Sequence, residues 1–292
     1  MRKIYLFSAF ILCVFPFIRC QSDTTKKMDS SICEKKYNFT EEWTKLSEGL
    51  FYCERNAPIK SIINDSKISI LKFDPKKFDY FLLSATQYNR KSKTVKEWAD
   101  TFNLNVVINA GMYELSEKLQ SKGFLKSHNH YNNPKINPSY NASIAFNPLD
   151  TNNVCFNIVD AQCVSFEKTN SDYHCVAQGM RMLDCDGNPL SWEKKKQSCS
   201  MLIAAKGKDG FIYFIFCRSP YTHSQMIQFM LDFPFNLTNA IYMEGGPETS
   251  LYIKSGDYEI EKIGSYVSNT YPTDKNCNYW PLPNVIGLRG KY

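Results

Sequence analysis

Short apolar runs that end abruptly at polar residues or glycine recur along this chain. Residues 240–243 are apolar and favour β-structure, they stop at EGGPE (residues 244–248), and strand character resumes at 249–253. Runs of this length, bounded by turn residues, are typical of buried β-strands. The paired glycines allow a tight turn and let a ligand approach the backbone closely. The pattern predicts a strand that delivers Glu244 and Glu248 to a site, although a hairpin with solvated glutamates has the same signature.

Similar runs along the rest of the chain predict a fold rich in sheet. The predicted strands cover residues 50–54, 68–73, 78–85, 104–108, 142–146, 154–159, 175–178, 199–205, 211–217 and 282–288. The turn 206–210 between two of them is a strong hairpin signal. Capping boxes at Thr94 and Thr222 predict two helices, and residues 40–49 predict a short third one. The expected fold class is α+β, a single domain with a mixed, largely antiparallel β-sheet core flanked by a few helices.

The N-terminal segment carries a targeting signal. Two basic residues precede an apolar run over residues 4–18, and a polar stretch follows, which is the pattern of a secretory signal peptide. Cys20 stands at the end of the run and resembles the acylated cysteine of a bacterial lipoprotein signal. The preceding residues, FIR, depart from the small-residue pattern of such signals. Export to the periplasm, the outer membrane or the medium is therefore predicted, and anchoring through a lipidated Cys20 is left open.

Composition and charge agree with one globular domain behind these leading segments. The hydrophobic fraction of 43% and the charged fraction of 22% are ordinary for a globular protein. We expect a signal peptide over residues 1–20, a polar tether over 21–39 and one domain over 40–292. The net charge of +6 is spread over small lysine groups without a basic stripe interleaved with aromatic residues. The sequence therefore argues against nucleic acid as a partner.

The cysteines indicate disulfides rather than a zinc site. Nine cysteines follow Cys20, and no CxxC spacing occurs among them. Zinc is therefore not expected. In an exported protein, one or more disulfides among Cys155, Cys163, Cys175 and Cys185 are expected, although the sequence does not give the pairing.

The segment 121–140 is polar, rich in Asn, Pro and His, and without periodicity. It is predicted to be a loop, and loops of this length inside a domain are commonly functional. It contributes Lys126, His128 and His130 as candidate chemical groups. A histidine on a loop is more often simply exposed, so this alternative is kept for both.

Unusual polar residues follow the ends of four predicted strands. The pairs are Asn109 with Tyr113, Gln178 with Arg181, Arg218 with Ser219, and Glu244 with Glu248. Guanidinium groups match phosphate oxygens in a bidentate manner, and paired carboxylates are what glycosidic chemistry needs. The periodicity does not show that these ends meet, and the commoner role of a single arginine is an ion pair or the surface.

Three stretches resemble the phosphodiester glycosidase family, and in particular its bacterial exported branch. They are LNVVINAGMY (104–113), RSPY (218–221) and IYMEGGPETSLYI (241–253), and the likeness extends over about residues 68–288. The family includes the uncovering enzyme, which removes N-acetylglucosamine from phosphodiester-linked glycans. The resemblance implies a glycosidase that acts beside a phosphate.

The resemblance also assigns site residues by position. The motif that ends a strand in the family corresponds to Asn109, Ala110, Gly111 and Tyr113. The acidic-Gly-Gly motif of the family corresponds to Glu244, Gly245 and Gly246, and its small hydroxyl residues correspond to Thr249 and Ser250. Two positions depart from the family pattern. Glu244 stands where Asp is usual, and Pro247 stands where Gly or Ser is usual. The longer acid moves the carboxylate by one methylene, so the substrate of the animal enzyme is not carried over.

Residues and resemblance together predict an exported hydrolase that cleaves the bond between a sugar anomeric carbon and a phosphodiester phosphate in a glycan or glycoconjugate. The predicted catalytic residues are Glu244, Glu248 and Asn109, and the predicted substrate-binding residues are Arg181, Arg218, Ser219, Tyr113, Gly245, Gly246, Gln178 and Ser250. No metal site or cofactor is required, although the resemblance allows calcium held by loop carboxylates.

Two alternatives remain open at the level of sequence. One is a carbohydrate-binding surface lipoprotein on the same scaffold, without turnover. The other is a metal-dependent phosphodiesterase that cuts the P–O bond on the other side of the phosphate. The histidines do not follow metal-ligand spacing, which disfavours this second alternative.

Overall fold

Antiparallel β-strands make up most of the structure. The computed structural model describes residues 38–114, 119–191, 198–267 and 275–291. The strands are β1 (Thr44–Ser47), β2 (Leu50–Asn56), β3 (Lys67–Phe73), β4 (Phe78–Ser84), β5 (Val106–Asn109), β6 (Leu125–Ser127), β7 (His130–Asn133), β8 (Ala142–Pro148), β9 (Phe156–Asp160), β10 (Tyr173–Leu183), β11 (Ser198–Gly207), β12 (Ile212–Thr222), β13 (Leu237–Gly245), β14 (Ser250–Ser255), β15 (Tyr258–Ile263) and β16 (Asn284–Gly290). The α-helices of the described residues are α1 (Val95–Phe102), α2 (Phe166–Asp172) and α3 (His223–Asp232).

The strands form two sheets. The larger sheet has the order β1-β2-β3-β12-β11-β13-β10-β6-β7, and β8 pairs with both β10 and β9. The smaller sheet has the order β15-β14-β5-β16-β4. The antiparallel core with few helices is confirmed, but the sheet is not mixed among the described residues, where each strand pairing is antiparallel. The N-terminal signal and most of the tether lie outside the described residues, and the division of the chain into domains stays a prediction.

Four layers result from the way the apolar faces are covered. The facing sides of the two sheets form one core, with Phe73 and Phe214 from the larger sheet and Ile108 and Ile286 from the smaller one. Helix α3 covers the opposite face of the larger sheet with residues that include Met226. Helix α1 covers the outer face of the smaller sheet and buries Trp98 there. The order of layers is thus helix α3, larger sheet, smaller sheet, helix α1.

Helices α1 and α3 begin where the sequence predicts them. Thr94 and Thr222 each form a complete capping box, in which the threonine side chain and the residue three positions later satisfy each other's backbone N–H groups. The predicted helix at 40–49 is wrong, because this segment forms β1 and a turn into β2. Gly49 adopts a φ of +73° in that turn, and Leu46 packs into the core between the sheets.

The predicted loop 121–140 is only partly irregular, because it contains the short strands β6 and β7. Helix α2 and strand β15 were not expected from the sequence. Each is brief, and each depends on tertiary contacts more than on a strong local pattern.

The disulfide Cys163–Cys185 confirms one pairing among the four expected cysteines, whereas Cys155 and Cys175 are free thiols. Cys277 is also disulfide-bonded. Within the described parts of the chain, no helix has the length and apolarity needed to span a membrane.

Candidate active site

The EGGPE turn connects the two sheets. Strand β13 of the larger sheet ends at Gly245, a single 3-10 turn follows over Gly246–Glu248, and β14 then enters the smaller sheet. Gly246 has a φ of +76°, and a Cβ there would collide with Val267. Glycine is required at this position because both the backbone conformation and the space exclude a side chain. The turn therefore places its two carboxylates at the junction of the sheets.

Glu244 is a buried carboxyl group with a strongly altered pKa. Its side chain is only 9% exposed, and its Oε1 accepts a hydrogen bond from the Gly245 N–H at 3.0 Å. Burial raises the pKa of Glu244 to about 8, and repulsion from Glu248 adds to the increase. The Gly245 hydrogen bond and the positive charge of Lys122 act in the opposite direction. Glu244 is thus protonated at neutral pH and able to donate a proton.

Glu248 is the second acid of the site. Burial raises its pKa as well. Its backbone carbonyl accepts a hydrogen bond from the Ser250 hydroxyl at 3.1 Å, and the Ser250 N–H donates to Asn109 Oδ1 at 3.1 Å. These bonds tie the turn to the end of β5, where Asn109 is the last residue of the strand.

The side-chain amide of Asn109 has an N–H group that is not used as a hydrogen-bond donor. Asn109 is 1% exposed, and its Nδ2 is a buried atom without a hydrogen-bond partner among the described residues. A buried donor without a partner costs free energy unless a ligand or water satisfies it. The side chain therefore has one atom that orients the turn and another that is available to a substrate.

Three side chains outside the turn interact electrostatically with the acids. Burial raises the pKa of Tyr113, and the negative charges of Glu248 and Glu244 add to the increase. Glu244 also contributes to the raised pKa of Tyr140. Lys122 is the cation that acts on Glu244. Tyr113 was predicted from the sequence, but Lys122 and Tyr140 were not. The one feature of the sequence that could have indicated them is their position in the predicted functional loop.

A buried phenol lies beneath the turn. A Cβ on Gly245 would collide with the Tyr242 hydroxyl and approach Cys199 Sγ, so the glycine lets these two side chains pack against the backbone of the site. The Tyr242 hydroxyl and the Cys199 thiol are 3.9 Å apart. In the sequence, both residues have the character of ordinary core residues, and no pattern indicates that they lie near the site.

Gln178 lies next to the site but has a structural role. Its Oε1 accepts hydrogen bonds from the Phe124 and Asn137 N–H groups, both at 2.9 Å, and its Nε2 donates to the Tyr140 carbonyl at 3.0 Å. One buried amide thus organises the loop that carries Lys122 and Tyr140. These hydrogen bonds give Gln178 a supporting role, and its predicted substrate contact stays a prediction.

Arg181 does not fit its predicted role in phosphate binding. It lies inside β10 rather than at a strand end, and its Nη1 is 2.7 Å from both carboxylate oxygens of Asp160. Both side chains are buried. The ion pair engages Nη1 and joins β10 to the end of β9, while the buried Nε has no hydrogen-bond partner among the described residues.

Arg218 and Ser219 are also engaged by the protein. Arg218 Nη1 donates to the Ile263 carbonyl at 2.5 Å and Nη2 donates to the Asn276 carbonyl at 2.7 Å. Asn276 in turn donates to the Gly264 carbonyl, and Gly264 packs against the backbone of the EGGPE turn. The Ser219 hydroxyl accepts from the Ser66 N–H at 2.9 Å. Arg218 therefore supports the turn from behind, and Ser219 fixes a loop between β2 and β3.

The other basic candidates make contacts away from the two acids. Lys126 Nζ donates to the Asn170 carbonyl at 2.7 Å, and His130 Nε2 is 2.9 Å from the Thr86 hydroxyl. The His128 ring stacks on His174 with the centroids 4.9 Å apart. None of these contacts involves Glu244 or Glu248.

Calcium binding by the described residues stays a prediction. Their one cluster of potential ligand atoms combines Asp160 with Cys163 and Cys185. The two sulfurs form a disulfide and the carboxylate is paired with Arg181, whereas calcium requires several oxygen ligands.

The site thus brings together Glu244, Glu248, Asn109, Tyr113, Gly245, Gly246 and Ser250 among the predicted residues, with Lys122 and Tyr140 in addition. Two carboxyl groups, one protonated at neutral pH, are the elements on which hydrolysis of glycosidic bonds depends. By its fold and site, the molecule is therefore a mostly antiparallel β protein with two neighbouring carboxyl groups at its candidate active site.

The sequence profile of the phosphodiester glycosidase family matches residues 102–289. The chain belongs to the phosphodiester glycosidase family. Its place in a bacterial exported branch stays a prediction. Comparison of the sequence with curated proteins finds no match.

The solved structures that are similar in fold include the following two. The catalytic domain of zebrafish N-acetylglucosamine-1-phosphodiester alpha-N-acetylglucosaminidase, auto-inhibited by pro-peptide, has 13% sequence identity and a TM-score of 0.57, with 89% of each chain covered. A hypothetical protein from Synechocystis has 12% identity and a TM-score of 0.54, covering 84% of this chain and 63% of the other. At these identities the likeness shows the fold.

Proposed function

We propose that this protein is an exported glycosidase that hydrolyses the bond between a sugar anomeric carbon and a phosphodiester phosphate. The observation that carries the proposal is the buried pair of Glu244 and Glu248 on the turn between the sheets. Family membership supports the reaction class, and the apolar run at residues 4–18 supports export.

Glu244 acts as the general acid. Its raised pKa keeps the proton on the carboxyl group until the leaving phosphate oxygen takes it, as the C–O bond at the anomeric carbon breaks. Glu248, in its ionised form, takes a proton from the attacking water or stabilises positive charge on the sugar ring. Phosphate is a good leaving group, so the transition state requires only modest proton donation.

Lys122 and Asn109 bind the phosphodiester in this proposal. Lys122 supplies a positive charge near Glu244, which the engaged guanidinium groups of Arg181 and Arg218 do not. The unpartnered Asn109 Nδ2 donates a hydrogen bond to a phosphate or sugar oxygen. The hydroxyl groups of Tyr113 and Tyr140 complete the polar lining.

Substitution of the acid tests the mechanism directly. Glu244→Gln keeps the shape and the hydrogen bond from Gly245 but removes the transferable proton, so turnover of a sugar-1-phosphodiester falls by about 100-fold, which is the low end of the range for general-acid catalysis because phosphate is already a good leaving group. The control is Glu167→Gln, which changes an exposed glutamate on α2 and leaves turnover unchanged. Turnover at the wild-type rate in Glu244→Gln would remove Glu244 from the mechanism.

Hydrolysis in ¹⁸O-labelled water distinguishes the reaction from its alternatives. Label in the released sugar supports cleavage at the anomeric carbon, whereas label in the phosphate shows a phosphodiesterase. Binding of phosphoglycans without any release of sugar, over a range of pH and with added metals, would favour the carbohydrate-binding lipoprotein.

A further inference from the structure

A cleft lies along the free edge of the smaller sheet. Strand β4 is the last strand of that sheet and pairs only with β16 among the described strands. The cleft runs between β4 and the β6–β7 hairpin of the larger sheet, and it has a volume of about 360 Å³. This size is within the range of small-molecule sites, roughly 300–1,000 Å³. Glu244 and Glu248 are not among its lining residues.

The walls of this β4 cleft come from both sheets. Asp79, Phe81 and Leu83 of β4 contribute to the lining, together with Ser127 of β6 and His128, which follows it. The Asn147 side chain crosses between the sheets, donating from Nδ2 to the Tyr80 carbonyl at 3.1 Å. This bond fixes the width of the cleft at one point.

Arg289 has an unusual environment in the cleft. Its guanidinium lies over the Phe81 ring, 4.6 Å from the centroid, and within the described structure no carboxylate is in ion-pair range of it. Asp79 is its direct cross-strand partner, yet the two side chains do not pair. Arg55 and Lys72, which also lie over aromatic rings, pair with Glu41 and Asp209, whereas Lys93 over Trp98 resembles Arg289 in having no ion pair within the described structure.

An arginine that is stacked but not paired presents its N–H donors to the space in front of it. Asp79 offers acceptors among the lining residues, the Gln87 amide offers both a donor and an acceptor, and the Asn147 Nδ2 donors are already directed to the Tyr80 carbonyl and Cys175 Sγ. Burial lowers the pKa of His128, with the neighbouring His174 and Lys126 adding to the effect, so its ring is neutral at pH 7. The cleft therefore combines donors, acceptors and the aromatic rings of Phe81 and Tyr88.

This combination suits hydroxyl groups better than a lone anion. A hydroxyl both donates and accepts, so it uses the guanidinium and the carboxylate together, whereas the Asp79 charge repels a phosphate. Aromatic side chains beside such groups pack against the apolar faces of a sugar ring. We propose that the β4 cleft is a second carbohydrate-binding site, which holds a sugar unit away from the EGGPE turn.

The position of the cleft is compatible with one glycan reaching both sites. Leu83 pairs in register with Val285, and Val285 pairs with Asn109 of the candidate active site. Two strand spacings, roughly 9–10 Å, thus separate Asn109 from the strand that borders the cleft. Occupancy of the cleft does not depend on turnover at Glu244, so the two proposals fail independently.

The test measures sugar binding without turnover. Saturation-transfer NMR and calorimetry on the full Glu244→Gln chain, with trisaccharides of glucose, N-acetylglucosamine and glucuronate as probes, should detect binding of at least one probe. Adding Arg289→Gln should weaken it tenfold or more, and Gln87→Ala, an exposed side chain in the same cleft, should weaken it measurably. Arg55→Gln is the matched control, because Arg55 also lies over aromatic rings but is ion-paired, and it should leave binding unchanged.

Three results would overturn the proposal. The first is that none of the three trisaccharides binds. The second is binding that survives both Arg289→Gln and Gln87→Ala. The third is equal weakening by Arg55→Gln, which would show that the effect is not specific to the cleft.

Discussion

Burial and the neighbouring Glu248 keep Glu244 protonated. The pKa of Glu244 is about 8, which is far above that of an ordinary glutamate, so the group holds its proton through neutral pH and loses it as the pH rises past that value. A general acid must be protonated to act. We therefore expect kcat/KM on a sugar-1-phosphodiester to fall above about pH 8, and a pH–rate profile measures this. A profile flat to pH 10 would contradict the role of Glu244 as acid.

Glu248→Gln should lower the pKa of Glu244. The substitution removes a nearby negative charge that disfavours ionisation of Glu244, so the remaining carboxyl titrates at a lower pH. Carbon-13 NMR of glutamate-labelled protein follows the titration without relying on activity. Glu167→Gln on the surface serves as control and should leave the curve in place.

Lys122→Met should have the opposite effect. Loss of the positive charge raises the pKa of Glu244 further, so the alkaline limb of the pH–rate profile moves to higher pH. In addition, KM for the phosphodiester should rise by about tenfold, because a charged contact to phosphate is lost. Lys135→Met, an exposed lysine of the same loop, is the control. An unchanged KM would mean that Lys122 tunes Glu244 without touching the substrate.

At the scale of elements, the ion pair of Arg181 and Asp160 joins β10 to β9. Arg181→Met leaves a buried carboxylate without its partner and should reduce the free energy of unfolding by about 3–5 kcal/mol. The double variant Arg181→Met/Asp160→Leu removes both charges and should recover most of that loss. Denaturant unfolding measures each variant. A large loss of kcat in the stable double variant would instead indicate that Arg181 acts in the active site.

The sequence predicted elements with strong local signals and failed where tertiary contacts decide. The capping boxes at Thr94 and Thr222 and the hairpin of β11 and β12 are encoded within a few residues, so they were read correctly. The β1 segment was misread as a helix because its strand pairing with β2 outweighs a weak local preference.

The candidate site was likewise predicted where its signal is local and missed where it depends on distant residues. The EGGPE turn has a signature of glycines and acids that is visible in the sequence. The roles of Arg181 and Arg218 are not visible in the sequence, because their partners Asp160, Ile263 and Asn276 lie 21 to 58 residues away along the chain. Lys122 was missed because nothing in an aperiodic loop indicates which lysine meets a distant carboxylate.

At the scale of the whole molecule, the disulfide Cys163–Cys185 closes a segment that includes α2 and β10. The two cysteines are 22 residues apart, and a loop of this length gains about 3 kcal/mol from the cross-link in the chain-entropy account. Cys163→Ser/Cys185→Ser should therefore lower Tm by roughly 6–12 °C while kcat at 25 °C is kept. Calorimetry and an activity assay measure the two effects. An equal fall in kcat at 25 °C would indicate that the cross-link shapes the active site.

The turn that carries the acids is also a covalent bridge between two separately hydrogen-bonded sheets. Glu244 is fixed by the ladder of one sheet, and Asn109 by the ladder of the other. Sliding or parting of the sheets would pull these side chains away from each other even if every strand remained paired. We therefore expect turnover of a sugar-1-phosphodiester to be a more sensitive gauge of sheet alignment than circular dichroism, and mild denaturant should abolish it before the secondary structure melts.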